Sequence, residues 1–383
     1  VAWPGNIKRY RVCQNPTEGC KLGKILDAND QEAINPTDKR IKEKALSFWS
    51  SAADGPDVKK GGSEEQVPSH TRRQVFTFHD LTDPLVNPIT ENLSGFRNII
   101  RDRNNDGILD GLASASRAHP DPRADTHTLL GDDGQTLSSS EVADLIDWIR
   151  GQDVDDEDDD GNTTENRFNF SDSLHASPLA IPFGGKADRP VVKLFIAGND
   201  GGLRMLNAET GIEEWVWYPQ ATLKFQKELR ENGNGDHIYG LDLTPVPWIE
   251  DRNGDGVITK AKGDFVRIIV GQRRGGSNYY AIDVTPERPV PLDPRREGDI
   301  VPTLLWRIGV VATITPSSGR PGLAQLSPKF RLARWILEKL KHGISWFLEV
   351  VTTKFRTTDF LDRVHQAMQF ISLTPIREIS FSQ

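Results

Sequence analysis

The chain has 383 residues, and 33 Gly and 24 Pro against 36% hydrophobic residues favour many short strands and turns over long helices. Its formal net charge of −8 argues against nucleic acid as a partner, and its carboxylates gather in tight clusters of the kind that hold cations. No apolar run of 18 residues, leader peptide or initiator Met is seen, and an opening at Val1, directly before a strand-like segment, is expected of a fragment.

In chain order, the first signal is a hairpin-like stretch from Gly5 to Asp30, GNIKRYRV followed by KLGKILDAND. Between its runs lie Cys13 and Cys20, and a loop with Pro and Gly can bring the two sulfurs within disulfide range. A bridge there implies an oxidising, exported setting; the alternative is two free thiols. Residues 51–72 read as an exposed loop without chemistry.

RDRNNDGILDG follows, with side-chain oxygens at Asp102, Asn104, Asp106 and Asp110 and Gly107 after the third. This matches the first nine positions of an EF-hand-like loop. Alternate residues of a tight loop point inward, so positions one, three and five surround one hard cation, the Gly permits the bend, and Ile108 offers its carbonyl. Calcium is the expected ion, although Ala113 stands where the usual Glu closes the shell. SSSEVADLIDWIRG, residues 138–151, predicts a linking helix with a Ser cap, apolar Val142, Leu145, Ile146 and Ile149, and a closing Gly. DVDDEDDDGNTTENR then repeats the loop frame at Asp156, Asp158, Asp160 and Gly161, with Thr164 and Glu165 behind. A solvated acidic block is the competing reading of so dense a run. His175 reads as a buried or hydrogen-bonding residue rather than a base.

Strand runs follow at VVKLFIAG (191–198), FVRIIVG (265–271), YYAIDV (279–284) and LLWRI (304–308), with a hairpin in GNDGGLRMLNAETGIEEWVWY from Gly198 to Tyr218. Such spacing suggests a sandwich or a β-propeller. Between them EDRNGDGVITKAKGD presents Asp251, Asn253, Asp255 and the Val257 carbonyl as a third calcium loop, with Thr259 at position nine and Lys262 at position twelve. No catalytic constellation emerges.

The composition changes near Gly309. Residues 309–383 hold 10 Lys and Arg against 5 Asp and Glu, leaving 37 against 50 upstream. Taken literally, the tail is an amphipathic helix with Phe330, Leu332, Trp335, Ile336 and Leu340 near one face.

The ordered series WPGNIKRYRV, ILDAND, SFWSSAADG, IDWIRGQDVDDEDDDGNTTENRF, DSLHASPL, IAGNDGGLRMLNAETGIEEW, YGLD, DRNGDGVI, GQRRGGSNYYAIDVT and LLWRIG resembles the type IV pilus tip-associated adhesin and biogenesis family, the PilC/PilY group, over residues 1 to about 309. The resemblance implies a C-terminal propeller with a calcium loop, which falls by motif on Asp251, Asn253 and Asp255. It also implies export to the pilus tip or outer cell surface, a part in pilus assembly against retraction, adhesion, and as partners minor pilins and host or abiotic surfaces. The family's variable N-terminal half is not matched.

The tail has a second reading in this light. With the last base of each codon joined to the first two of the next, Trp346 to Thr353 can spell VFGGGYD, its Val being forced. Met368 and Gln369 force an Ala inside a further copy of the NAETG hairpin. From Ser318 the same shift allows LGQTWSRP, the family's continuation. Residues from about 309 are therefore expected to translate a frameshifted propeller gene.

The expected fold is all-β: an incomplete propeller of about three blades plus an N-terminal hairpin segment, with calcium loops and one linker helix. Residues 1–101 form an N-terminal β and irregular segment, 102–166 a calcium-loop and helix linker, 167–308 the blades, and 309–383 a tail without native fold. A ring generally needs at least about four blades, so the sheet is left open. The expected function is a non-enzymatic calcium-binding propeller module. Alternatives are a quinoprotein dehydrogenase propeller, suggested by NAETGIEEW alone, and a generic extracellular scaffold stiffened by calcium.

Overall fold

A computed structural model of the protein describes residues 3–15, 20–77, 98–99, 126–127, 130–132, 134–187, 189–231, 237–291 and 300–308, all within the compact unit Val1–Val311. The expected loop Asp102–Asp110 and the tail 309–383 lie outside the described residues. The fold is all-β with few helices, and the described strands form three sheets, none closed on itself.

The smallest sheet pairs β1 (Arg11–Val12) with β2 (Ile25–Leu26), Arg11 opposite Leu26. A disulfide joins Cys13 to Cys20, with Cα atoms 6.1 Å apart, at the mouth of this hairpin.

The second sheet runs β4-β3-β8-β7-β6-β5. Its heart is the meander β5 (Leu179–Lys186), β6 (Arg189–Ala197), β7 (Leu203–Asn207) and β8 (Glu213–Tyr218), each antiparallel to the next. The β7–β8 turn forms because the Asn207 side chain accepts the N–H groups of Glu209 and Thr210, at 2.9 and 3.3 Å, and Gly211 takes φ 77°, where a Cβ is disfavoured. β3 (Val75–Thr77) adds parallel to β8 and β4 (Asn98–Ile99) antiparallel to β3.

The third sheet is another meander, β9 (Val246–Glu250), β10 (Phe265–Gly271), β11 (Tyr279–Asp283) and β12 (Thr303–Ile308). The alternation of β10 explains how the two meanders meet. Val266, Ile268 and Val270 turn inward with Tyr280 and Ile282, and join Phe195, Leu203, Met205, Trp215 and Trp217 in one core. Trp217 meets Tyr280 edge-on at 5.3 Å, and Trp215 donates its indole N–H to the Ile300 carbonyl at 3.0 Å. Residues 167–308 thus contribute to two sheets among the described residues, where the spacing suggests about three blades.

β8 is buried on both faces, which accounts for the apolar run from Trp215 to Tyr218. Val216 and Tyr218 face away from that core, against the helix Ser139–Arg150. This helix starts where expected: Ser138 and Glu141 form a reciprocal capping box, and Gly151 ends it at φ 107°. Val142, Leu145, Ile146 and Ile149 lie at helical spacing on its buried face, so the helix covers the sheet rather than merely linking segments.

The segment 51–72 departs from the exposed loop expected of it. Gly62–Glu65 makes one helical turn, Ser63 donates to the Gly211 carbonyl at 3.0 Å, and the Glu64 carboxylate accepts the N–H groups of Asn169 and Phe170 at 2.8 and 2.9 Å. The reason is local: backbone donors there lack a strand partner, and a carboxylate satisfies two at once.

Candidate metal centre

Two of the three carboxylate loops are described, and they share one hydrogen-bond pattern. In the first, Asp156 at position one accepts the N–H of Gly161 at position six, at 2.9 and 3.1 Å, and Asp160 at position five accepts that of Asn162 at 2.7 Å. In the second, Asp251 accepts the N–H of Gly256 at 2.7 Å and Asp255 that of Val257 at 2.9 Å. Position six is a glycine at φ 84° in one and 73° in the other, as the inward bend requires.

The Asp156 loop is pinned at its base by the bridge Gln152↔Asn166, which also sets Asp153 N–H on the Glu165 carbonyl at 2.9 Å. Carboxylate oxygens of Asp156, Asp158 and Asp160 then lie within 4.8 Å of one another, and so do those of Asp153, Asp158 and Glu165. Asp158 belongs to both groups. Asp153 is buried, and burial together with the charges of Glu157, Asp158 and Asp156 pushes its carboxyl above the usual range, even though it accepts the Glu157 N–H. The Glu165 carboxyl is also pushed up, first by the charge of Asp160 and then by burial, Asp158 and Asp153. These are like charges crowding one another, the condition that a bound cation relieves. The donor set is all oxygen and mostly carboxylate, which fits a hard divalent ion. Bound there, such an ion would neutralise the crowd and stiffen the loop through Asp153, Asp156, Asp158, Asp160 and Glu165.

Asp153 escapes motif reading because it stands three residues before the loop frame. Only the bridge across the loop's base returns it to the site.

The Asp251 loop connects β9 to β10 and is stapled by buried Asp264, whose two oxygens accept the N–H groups of Arg252 and Thr259, each at 3.1 Å. Thr259, at position nine, is buried. At position twelve Lys262 turns back over the loop, with Nζ 2.6 Å from Asp255 Oδ2 and 3.2 Å from the Val257 carbonyl. The ammonium therefore sits on two atoms the motif assigns to the ion, and with the Val257 N–H it holds the Asp255 carboxyl below its ordinary range.

Elsewhere, His175 Nδ1 lies 2.7 Å from Asp242 Oδ1, and Asp242 is buried, so His175 is anchored by a carboxylate as a hydrogen-bonding residue. No described helix is long and apolar enough to cross a membrane.

No protein-family model matches the chain, and no solved structure matches it. Over 185 residues it is 28% identical to the type IV pilus biogenesis factor PilY1 of Pseudomonas aeruginosa (strain UCBPP-PA14). That match covers 42% of this chain and 15% of the relative, so the chain is similar to a small part of a pilus biogenesis factor.

Proposed function

We propose that the chain is a calcium-binding β-propeller module of a type IV pilus assembly and tip-adhesin protein, acting in pilus biogenesis, control of retraction and surface attachment. The similarity to PilY1 supports the pilus part of this reading. The calcium part rests on one observation, the two carboxylate groups that share Asp158 in a loop built on the EF-hand hydrogen-bond pattern. Two consecutive four-stranded meanders packed face to face support the propeller. The module works without catalysis, exported to the pilus tip or outer cell surface, with minor pilins and host or abiotic surfaces as partners. Asp102, Asn104, Asp106, Ile108 and Asp110 form a further calcium loop, and residues from about 309 translate a shifted frame.

Calorimetric titration of the full chain with calcium tests the ion, with heat expected at millimolar levels for the wild type and a reduced number of sites for Asp158→Asn. Absence of any calcium heat would remove the ion from this reading. Deleting the gene in its own organism tests the pilus role: surface pili should fall and return with the wild-type gene. Unchanged pili would remove that role.

A further inference from the structure

We infer that Lys262 is a tethered cation that competes with calcium for the Asp251 loop, so this loop fills only at higher calcium than the Asp156 loop built on the same frame. The inference rests on the calcium reading proposed above. A calcium ion bound by the side chain of position five and the carbonyl of position seven stands about 2.3–2.6 Å from both oxygens. Those oxygens are Asp255 Oδ2 and Val257 O, and the Lys262 ammonium is hydrogen-bonded to both. Ion and ammonium cannot share that space. Calcium must first expel the ammonium and then tolerate a positive charge close by.

The local fold delivers Lys262 to this place. Lys260–Lys262 forms a single 3-10 turn closed by Gly263 at φ 79°, and the Asp264 staple fixes where that turn sits relative to Arg252 and Thr259. Lys260 turns elsewhere, to Glu287 at 2.8 Å. In the Asp156 loop, position twelve is Arg167, and its guanidinium is drawn off: Nε donates to the Trp148 carbonyl at 2.9 Å, and the group lies 3.7 Å over the Trp148 ring. The same loop frame is therefore built twice, once with its closing cation removed to an aromatic face and once with it seated on the ligands. Two loops of different threshold follow, and the Asp251 loop is the one that empties first as calcium falls.

The test is hydrogen exchange of the full chain across a calcium titration, read on the peptide 249–265, for wild type, Lys262→Gln and Lys262→Arg. Lys262 is partly exposed, so these changes leave the core untouched. Lys262→Gln should lower the calcium concentration for half-protection by roughly three- to tenfold, the range for removing an exposed ion pair and a neighbouring like charge. Lys262→Arg, which keeps the charge, should stay near wild type. Equal midpoints in wild type and Lys262→Gln would overturn the competition while leaving calcium at the loop. No calcium-dependent protection in either would overturn both.

Discussion

Arg73 clamps Glu213 within the core: Nε donates to Oε1 at 2.6 Å and the terminal nitrogen to Oε2 at 3.1 Å, with both side chains essentially excluded from solvent. Arg204 Nε approaches the same carboxylate at 3.1 Å, and Arg204 in turn grips Asp200, which also accepts the Tyr218 hydroxyl at 3.0 Å. This network joins the segment before β3 to the β7–β8 hairpin. Glu213→Ala would leave the buried Arg73 guanidinium without its carboxylate, while Arg204 keeps Asp200, and the expected loss is about 3–5 kcal/mol in urea unfolding. Arg73→Lys should also destabilise, because one ammonium cannot replace the fork that reaches Glu213, Asn169 and the carbonyls of Ile149 and Arg150. A loss below about 1 kcal/mol for Glu213→Ala would show that the network is solvated in solution.

Asp158 should be the most sensitive calcium ligand, since it alone belongs to both carboxylate groups of its loop. The expected dissociation constant is on the order of 10⁻⁴ to 10⁻³ M, the level of extracellular modules. At ten times that concentration, calcium should raise stability by about 1.4 kcal/mol, because it binds only the folded loop. Asp158→Asn should remove the share of this gain that its own loop supplies, whereas Asp153→Asn should weaken it. Melting curves with and without calcium that shift equally for wild type and Asp158→Asn would place the effect elsewhere in the chain.

Three of the five tyrosines should ionise late. Burial, then the charge of Asp200, pushes the Tyr218 hydroxyl up to about 12; burial, then Asp54 and Asp27, does the same for Tyr10; and burial raises Tyr280 as well. A folded pKa above the unfolded 10 means that the stabilising contribution is complete below pH 10 and is lost as pH rises through 12. Absorbance at alkaline pH should show the late group directly. Tyr218→Phe should be less stable at neutral pH, having lost its bond to Asp200, yet decline less steeply above pH 10. Tyr218 titrating near its unfolded value of 10 in folded protein would refute the assignment.

The sequence was readable where structure is local. The Asn207 turn, the alternation of β10 and the Ser138 cap are each set by neighbours within a few residues, and each appears where the pattern puts it. β9 was not, because Pro247 in VPWIE demotes a strand reading; as an edge strand it tolerates the missing N–H. The parallel pairing of Val75 with Val216 was equally hidden, since no local signal connects residues so far apart. The same limit applies to the site. Asp156, Asp158 and Asp160 follow from spacing, whereas Asp153 joins them only through a bridge closed by tertiary folding.

β9 is an edge among the described strands, and Val246, Trp248 and Ile249 on it are 51%, 40% and 43% exposed. Trp248 lies edge-on to Phe265 at 5.0 Å, with the Arg267 guanidinium 4.9 Å from its ring, so an apolar and aromatic strip continues from the edge onto the sheet face. An exposed edge with apolar side chains invites pairing with another strand, and Pro247 removes only one donor from the row. Concentrated protein should therefore associate, with light scattering rising with concentration. Val246→Lys with Ile249→Lys should suppress this, because charges on an edge oppose strand addition. Both side chains already face water, so the unfolding free energy should move by no more than about 0.5 kcal/mol for each change. Scattering that is unchanged in the double variant, at matched stability, would show that association runs through another surface.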